Sequence, residues 1–326
     1  MDLQILNDTL SRCEKKMRFQ HKALATRKSY LSIIRKYYVW LQAARPVGDS
    51  TAKIEQYLTA RAEVDKISAS TQNVEFNAIR YLYVDVLGIE LGNINALRCK
   101  VPKHERHAPT REEVAAVLGK LQDRNGFPVR LVFKLLYGCG LRVSEPLNLR
   151  IKDIRFERGE LVIRGSKGAK DRVVSIPPSL LGELRHQMSV AELMWQKDHR
   201  DRQPCQIPGA YRRKAPSSAF EFGWYFLFPG KVPVPHPDTG ELVRFHFHPA
   251  NVQRAVFDAC KAAKVAARFT PHHLRHAYAT HSLEAGFNIH DVKEVLGHKN
   301  VETTMVYLHP EASRVHSPLE VLTGVV

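Results

Sequence analysis

Cysteine is scarce and unpatterned in this chain. The five residues, Cys13, Cys99, Cys139, Cys205 and Cys260, are scattered, odd in number and never spaced as C-x-x-C. Neither a disulfide framework nor a zinc cage is indicated, and a reducing cytoplasm is the expected setting. Long apolar runs are missing as well. No stretch reaches the roughly 18 residues of a membrane span, and the polar start Met1 to Asn7 lacks the layout of a signal peptide, so no membrane partner is expected. Acidic side chains are in short supply, with Asp+Glu 33 against Lys+Arg 49 and a formal charge of +16. Internal repeats and low-complexity tracts are absent.

What remains is a chain of 326 residues, 44% hydrophobic, enough to build real cores. Residues 1–105 carry 17 basic and 11 acidic side chains, a surplus of six, and the other ten positive charges fall on 106–326. A surplus spread over both halves suits a protein that surrounds a polyanion and gains affinity from counterion release. A merely basic cytosolic protein is the plainer alternative.

Tyr30, Ile33, Ile34, Tyr37, Tyr38 and Leu41 recur at helical spacing, and Arg27, Lys28, Arg35 and Lys36 among them give the helix a basic flank. Arg27 and Lys28 are candidate DNA contacts. Further helices are expected over 51–61 and 68–87, the latter capped by Ser68 or Ser70 and ended at Gly88. Segment 98–110 has two prolines and no periodicity and reads as an exposed linker. The expected division is a helical domain over 1–103, a linker over 104–109 and a second domain over 110–326. Thr110 and Glu113 form a T-x-x-E capping box that opens the second domain. Helices are expected over 128–137, 179–200, 249–264, 271–285 and 289–296, with a hairpin over 160–176, so the fold class is mainly α with a small β-sheet.

Four segments carry polar groups in apolar surroundings. In Tyr137-Gly-Cys-Gly-Leu-Arg142-Val-Ser-Glu145, two glycines end a helix and deliver an arginine ahead of a helix that Ser144 is expected to cap; a plain salt bridge is the other reading. The hairpin tip holds Lys167 and Lys170, the latter a candidate DNA contact, though solvation alone would explain both. His272 and Arg275 share one face of a first helical turn, where backbone N–H groups favour an anion. The fourth runs Leu296-Gly-His298, then reaches Tyr307 nine residues on.

In order and spacing, GLRVSE, HHLRHAYATH and LGH followed by a tyrosine resemble the tyrosine recombinase family, also called the phage integrase family. Ala69 to Leu91 is similar to the helical core-binding, SAM-like domain of integron integrases. About sixty extra residues, roughly 187–248 and containing FGWYFLFPG, resemble that subfamily's insertion, which Xer-like recombinases lack. The resemblance implies a C-shaped clamp around DNA built from core-binding and catalytic domains. It implies Tyr307 as nucleophile, with Arg142, Arg275 and His298 around the scissile phosphate, His272 assisting, Lys167 acting from the hairpin, and Glu145 supporting. Those side chains suit the chemistry: guanidiniums and an imidazole can neutralise the added charge of a phosphoryl transition state without a metal, and a lysine can protonate the leaving 5'-oxygen. No cofactor is expected. The resemblance further implies four protomers on two DNA sites, inserting and excising gene cassettes in a bacterial cytoplasm, nucleoid-associated when bound. Glu145-Pro146 and His309-Pro310 depart from the usual pattern.

Phe220, Phe222, Trp224, Tyr225, Phe226 and Phe228 crowd the insertion beside Arg212, Arg213 and Lys214. Stacking rings beside cations are how proteins hold unpaired bases, while alternating aromatics before Pro229 also read as a buried strand. Trp224 is the expected exposed ring, matching by resemblance a tryptophan that receives an extrahelical base. Pro235 and His246 are further candidate contacts, with Phe245-His246 standing where the subfamily has paired histidines. Folded single strands are therefore the expected sites. The alternatives are a Xer-like or phage-like recombinase on duplex sites, a silent architectural DNA-binding protein, and a relaxing type IB topoisomerase.

Overall fold

The computed structural model describes residues 3–97, 99, 108–124, 126–165, 171–265 and 269–297. The chain forms two compact units, Met1–Glu105 and Arg106–Val326. Most of the expected linker, residue 98 and residues 100–107, lies outside the described residues.

The first unit is helical: α1 (Leu3–Phe19), α2 (Leu24–Ala44), α3 (Ser50–Glu63) and α4 (Ala69–Arg80), which continues as a π-helical turn over Tyr81–Leu87. The α2 stripe explains its core. Ile33, Ile34 and Tyr37 are buried, and Tyr30, Tyr38 and Leu41 pack against them from the margins. Tyr37 meets Tyr57 edge-on at 5.0 Å between ring centroids. Ser68 caps α4 by accepting from the Thr71 N–H, and Gly88 ends the π turn at φ 70°. Arg27 departs from the basic-flank reading: it is 6% exposed, on the buried side of α2, whereas Lys28 is exposed. Of the pair, Lys28 is the more open to a ligand.

In the second unit α5 (Arg111–Lys120) begins at a complete capping box, Thr110 and Glu113 each accepting the other's backbone N–H. The apolar α6 (Val129–Gly138) is buried and packs against α11 (Pro271–Glu284), while α10 (Pro249–Ala262) packs on α5. A three-stranded antiparallel sheet runs in the order β1 (Ile154–Arg155), β2 (Glu160–Ile163), β3 (Arg172–Ser175), with Leu161 opposite Val174 and Ile163 opposite Arg172. Helix α12 (Ile289–Leu296) packs on α11 and β3 and stops at Gly297, φ 62°.

Between β3 and α10 lie α8 (Leu181–Arg200), α9 (Gly209–Lys214) and a small ribbon of β4 (Val234–Pro235) with β5 (Leu242–Val243). A sealed polar cluster pins this region. Arg244 donates twice to Asp198, at 2.7 and 2.6 Å, and the Tyr225 hydroxyl donates to the same carboxylate at 2.6 Å. Of the crowded aromatics, Tyr225, Phe226 and Phe228 are core, and Phe220, Phe222 and Trp224 are half-buried.

Candidate active site

The first segment is shaped by Gly140. Its φ of 60° needs glycine, and an added Cβ would come within 2.6 Å of the Tyr278 ring. This bend ends α6 and leads into α7 (Ser144–Leu147). Ser144 does not cap that helix: Val143 occupies the cap position and no side chain bonds there. Glu145 satisfies the backbone instead, accepting the Arg142 N–H at 2.8 Å and the Arg142 guanidinium at 2.9 Å.

Glu145 is gripped a second time. Arg172, the first residue of β3, donates to both of its oxygens at 2.9 and 2.7 Å and to the Val295 carbonyl at 2.6 Å. Burial works against the Glu145 charge, but the Arg172 and Arg142 bonds more than offset it, so the carboxyl lies below the ordinary glutamate value. Arg142 keeps 27% of its side-chain surface open. It lines a cavity of about 510 Å³ with Glu145, Lys152, Arg164 and Trp224.

Arg275 is 2% exposed and joins three chain segments: it belongs to α11, donates to the Gly140 carbonyl at 2.7 Å, and also donates to the Leu296 carbonyl at the end of α12. His272 is exposed, its ring edge-on to His276 at 4.8 Å. His273 bonds Thr270 through Nδ1 at 2.7 Å and closes the start of α11. His276 is buried. Arg142, Glu145 and Arg275 are therefore brought to neighbouring turns. Lys167, Lys170, His298 and Tyr307 lie outside the described residues. Among the described residues, no group of three or more His, Cys, Asp or Glu side chains could hold a metal ion.

Trp224 reaches the same cavity as Arg142, but it is not the openly exposed ring expected from its sequence. Tyr211 packs on it at 4.3 Å between centroids, and the Lys152 ammonium sits over the indole. Beneath it Arg150 is buried 3.8 Å from the Phe226 ring centre and donates to the Trp224 carbonyl at 2.6 Å. His246 is half-buried, its Nδ1 2.7 Å from the Phe247 carbonyl oxygen, and burial lowers its pKa. Pro235 is exposed on β4. Sequence reasoning missed Arg172, Lys152 and Tyr211. An arginine opening a strand, a lysine after an arginine–isoleucine pair and a tyrosine before a basic run carry no distinctive spacing.

Residues 109–314 match the phage integrase family, and residues 10–93 match the phage integrase N-terminal SAM-like domain. The chain belongs to the phage integrase family, the tyrosine recombinases, and is a site-specific recombinase by class. Among particular proteins, it is 33% identical to an integrase/recombinase of Escherichia coli, over 96% of this chain and 93% of that one. It is 31% identical to the tyrosine recombinase XerA of Thermococcus kodakarensis, over 92% and 90%. The fold is shared with the XerH site-specific recombinase bound to a palindromic difH substrate, with a TM-score of 0.60, 17% identity, and 96% and 82% of the two chains covered. Among the described residues no helix is long and apolar enough to cross a membrane.

Proposed function

We propose that this recombinase is an integron-type integrase that breaks and rejoins DNA strands through Tyr307. The observation that carries the chemistry is the convergence made by two arginines. Arg275 ties α11 to the Gly140 turn before Arg142 and to the end of α12 two residues before His298; Arg172 ties the hairpin to Glu145 and to the same end of α12. The Tyr307 oxygen attacks the scissile phosphorus, and the bond to the 5'-oxygen breaks. The phenol proton passes to His272, and Lys167 gives a proton to the departing oxygen. Arg142, Arg275 and His298 offset the charge that builds on the phosphate. The products are a 3'-phosphotyrosyl link and a free 5'-hydroxyl, which keep the bond energy for rejoining to another strand, and four protomers on two sites carry the exchange.

The insertion favours folded single strands as sites, because Trp224 and the Arg142 side chain line one cavity, so a base held at the indole would lie near the phosphate being cut. Action on duplex sites is the second reading, favoured by the resemblance to XerA over nearly the whole chain. The test is covalent capture from random-sequence DNA pools, one duplex and one of folded single strands. The wild-type chain should form denaturant-resistant adducts, and Tyr307→Phe should bind DNA without forming any. Adducts with the Phe variant would overturn the nucleophile, and capture only from the duplex pool would overturn the integron reading.

A further inference from the structure

We propose that Arg172 is a positioning residue for strand cleavage, fixing through one guanidinium both the carboxylate that holds Arg142 and the last turn of α12. The inference rests on the catalytic reading above. Glu145 accepts four bonds, two from Arg142 and two from Arg172, so its oxygens are fully engaged and its orientation is determined by both partners. The two arginines are not equivalent. Arg142 keeps surface open toward the cavity, whereas the Arg172 side chain is 9% exposed and has three bonds to protein.

The third of those bonds goes to Val295, in the last turn of α12. The approach is close: a Cβ on Gly297 would stand 3.3 Å from Arg172 Cδ. Leu296, between these two residues, is the one whose carbonyl Arg275 takes. Arg172 therefore links the support of one phosphate-directed arginine to the turn that supports the other. Only a planar guanidinium spans a bidentate carboxylate and a carbonyl together; a lysine ammonium keeps the charge but not the fork.

The test uses the full-length chain and DNA captured covalently by the wild type from a random-sequence pool, prepared with an ordinary scissile phosphate and with one in which a neutral methyl replaces a nonbridging oxygen. Arg172→Lys should bind the DNA as wild type does and cleave the ordinary phosphate about 100-fold more slowly, the scale of a misplaced catalytic group. On the neutral phosphate, which asks less of Arg142, the loss should be clearly smaller. Equal losses on both substrates, or wild-type cleavage, would overturn the proposal. Arg172→Gln provides a second variant, and if neither unfolds cooperatively Arg172 is a fold determinant and the proposal is also overturned. Arg142→Lys run alongside separates the two readings: if it cleaves normally the catalytic assignment fails, whereas if only Arg172→Lys does, positioning alone fails.

Discussion

Two carboxylates in the second unit are each gripped by arginine, and they differ in what lies beyond the grip. Asp198 is closed in by Arg244 and Tyr225, all three nearly inaccessible, and every polar group it engages points inward. Glu145 is also buried, though less deeply, and Arg142 opens onto a cavity that Trp224 and Lys152 also line. The first arrangement fastens the insertion to its own core. The second supports a cation whose surface remains available to a ligand. A buried ion pair is thus a poor signal of function by itself; the open arginine and the shared cavity make the difference.

That contrast breaks most easily at its sealed end. Arg244→Ala leaves Asp198 charged and buried, so the second unit should lose about 3–5 kcal/mol, read by denaturant unfolding. An unchanged midpoint would make the cluster incidental. At the open end, Arg142→Lys should leave stability nearly unaltered and lower the cleavage rate at least about 100-fold, since a point ammonium cannot replace a fork on phosphate; a stability loss without a cleavage loss would erase the distinction.

Smaller effects sharpen the comparison. Trp224→Ala should weaken binding to a hairpin with bulged bases by about 1–3 kcal/mol and leave a fully paired duplex almost unaffected. Equal weakening on both would make the indole part of the core. The least effect is expected from acid. Glu145 lies below the ordinary carboxyl value when folded, so its contribution is present above the unfolded value of about 4.3 and is lost as pH falls through the folded one. The stability gap between wild type and Glu145→Gln, measured by urea unfolding, should therefore narrow on acidification; a gap that widens would mean that the charge is not what the arginines hold.

How far these features can be read from sequence depends on how local their causes are. The α2 stripe, the Ser68 cap and the Thr110–Glu113 box need only neighbours within one or two turns, and each is found where the pattern puts it. Ser144 failed because Val143 takes the cap position and places the serine inside the helix, while Pro146 two residues on has no N–H for it to accept. Arg27 lies on the buried side rather than the expected basic flank because helical spacing says which residues share a face but not how wide the buried face becomes.

By itself the sequence determined the family, most of the helices other than α1 and α9, and the ordered set of arginine, lysine, histidine and tyrosine, since periodicity, caps and motif spacing are properties of a contiguous chain. Only the tertiary structure decided that Arg172 grips Glu145 from 27 residues away, that Arg275 joins the ends of two other helices, and that Trp224 shares its cavity with Arg142 beneath Tyr211 and Lys152. Those contacts arise from closing long loops around a common core, and no local spacing encodes which distant donor will reach a given buried acceptor.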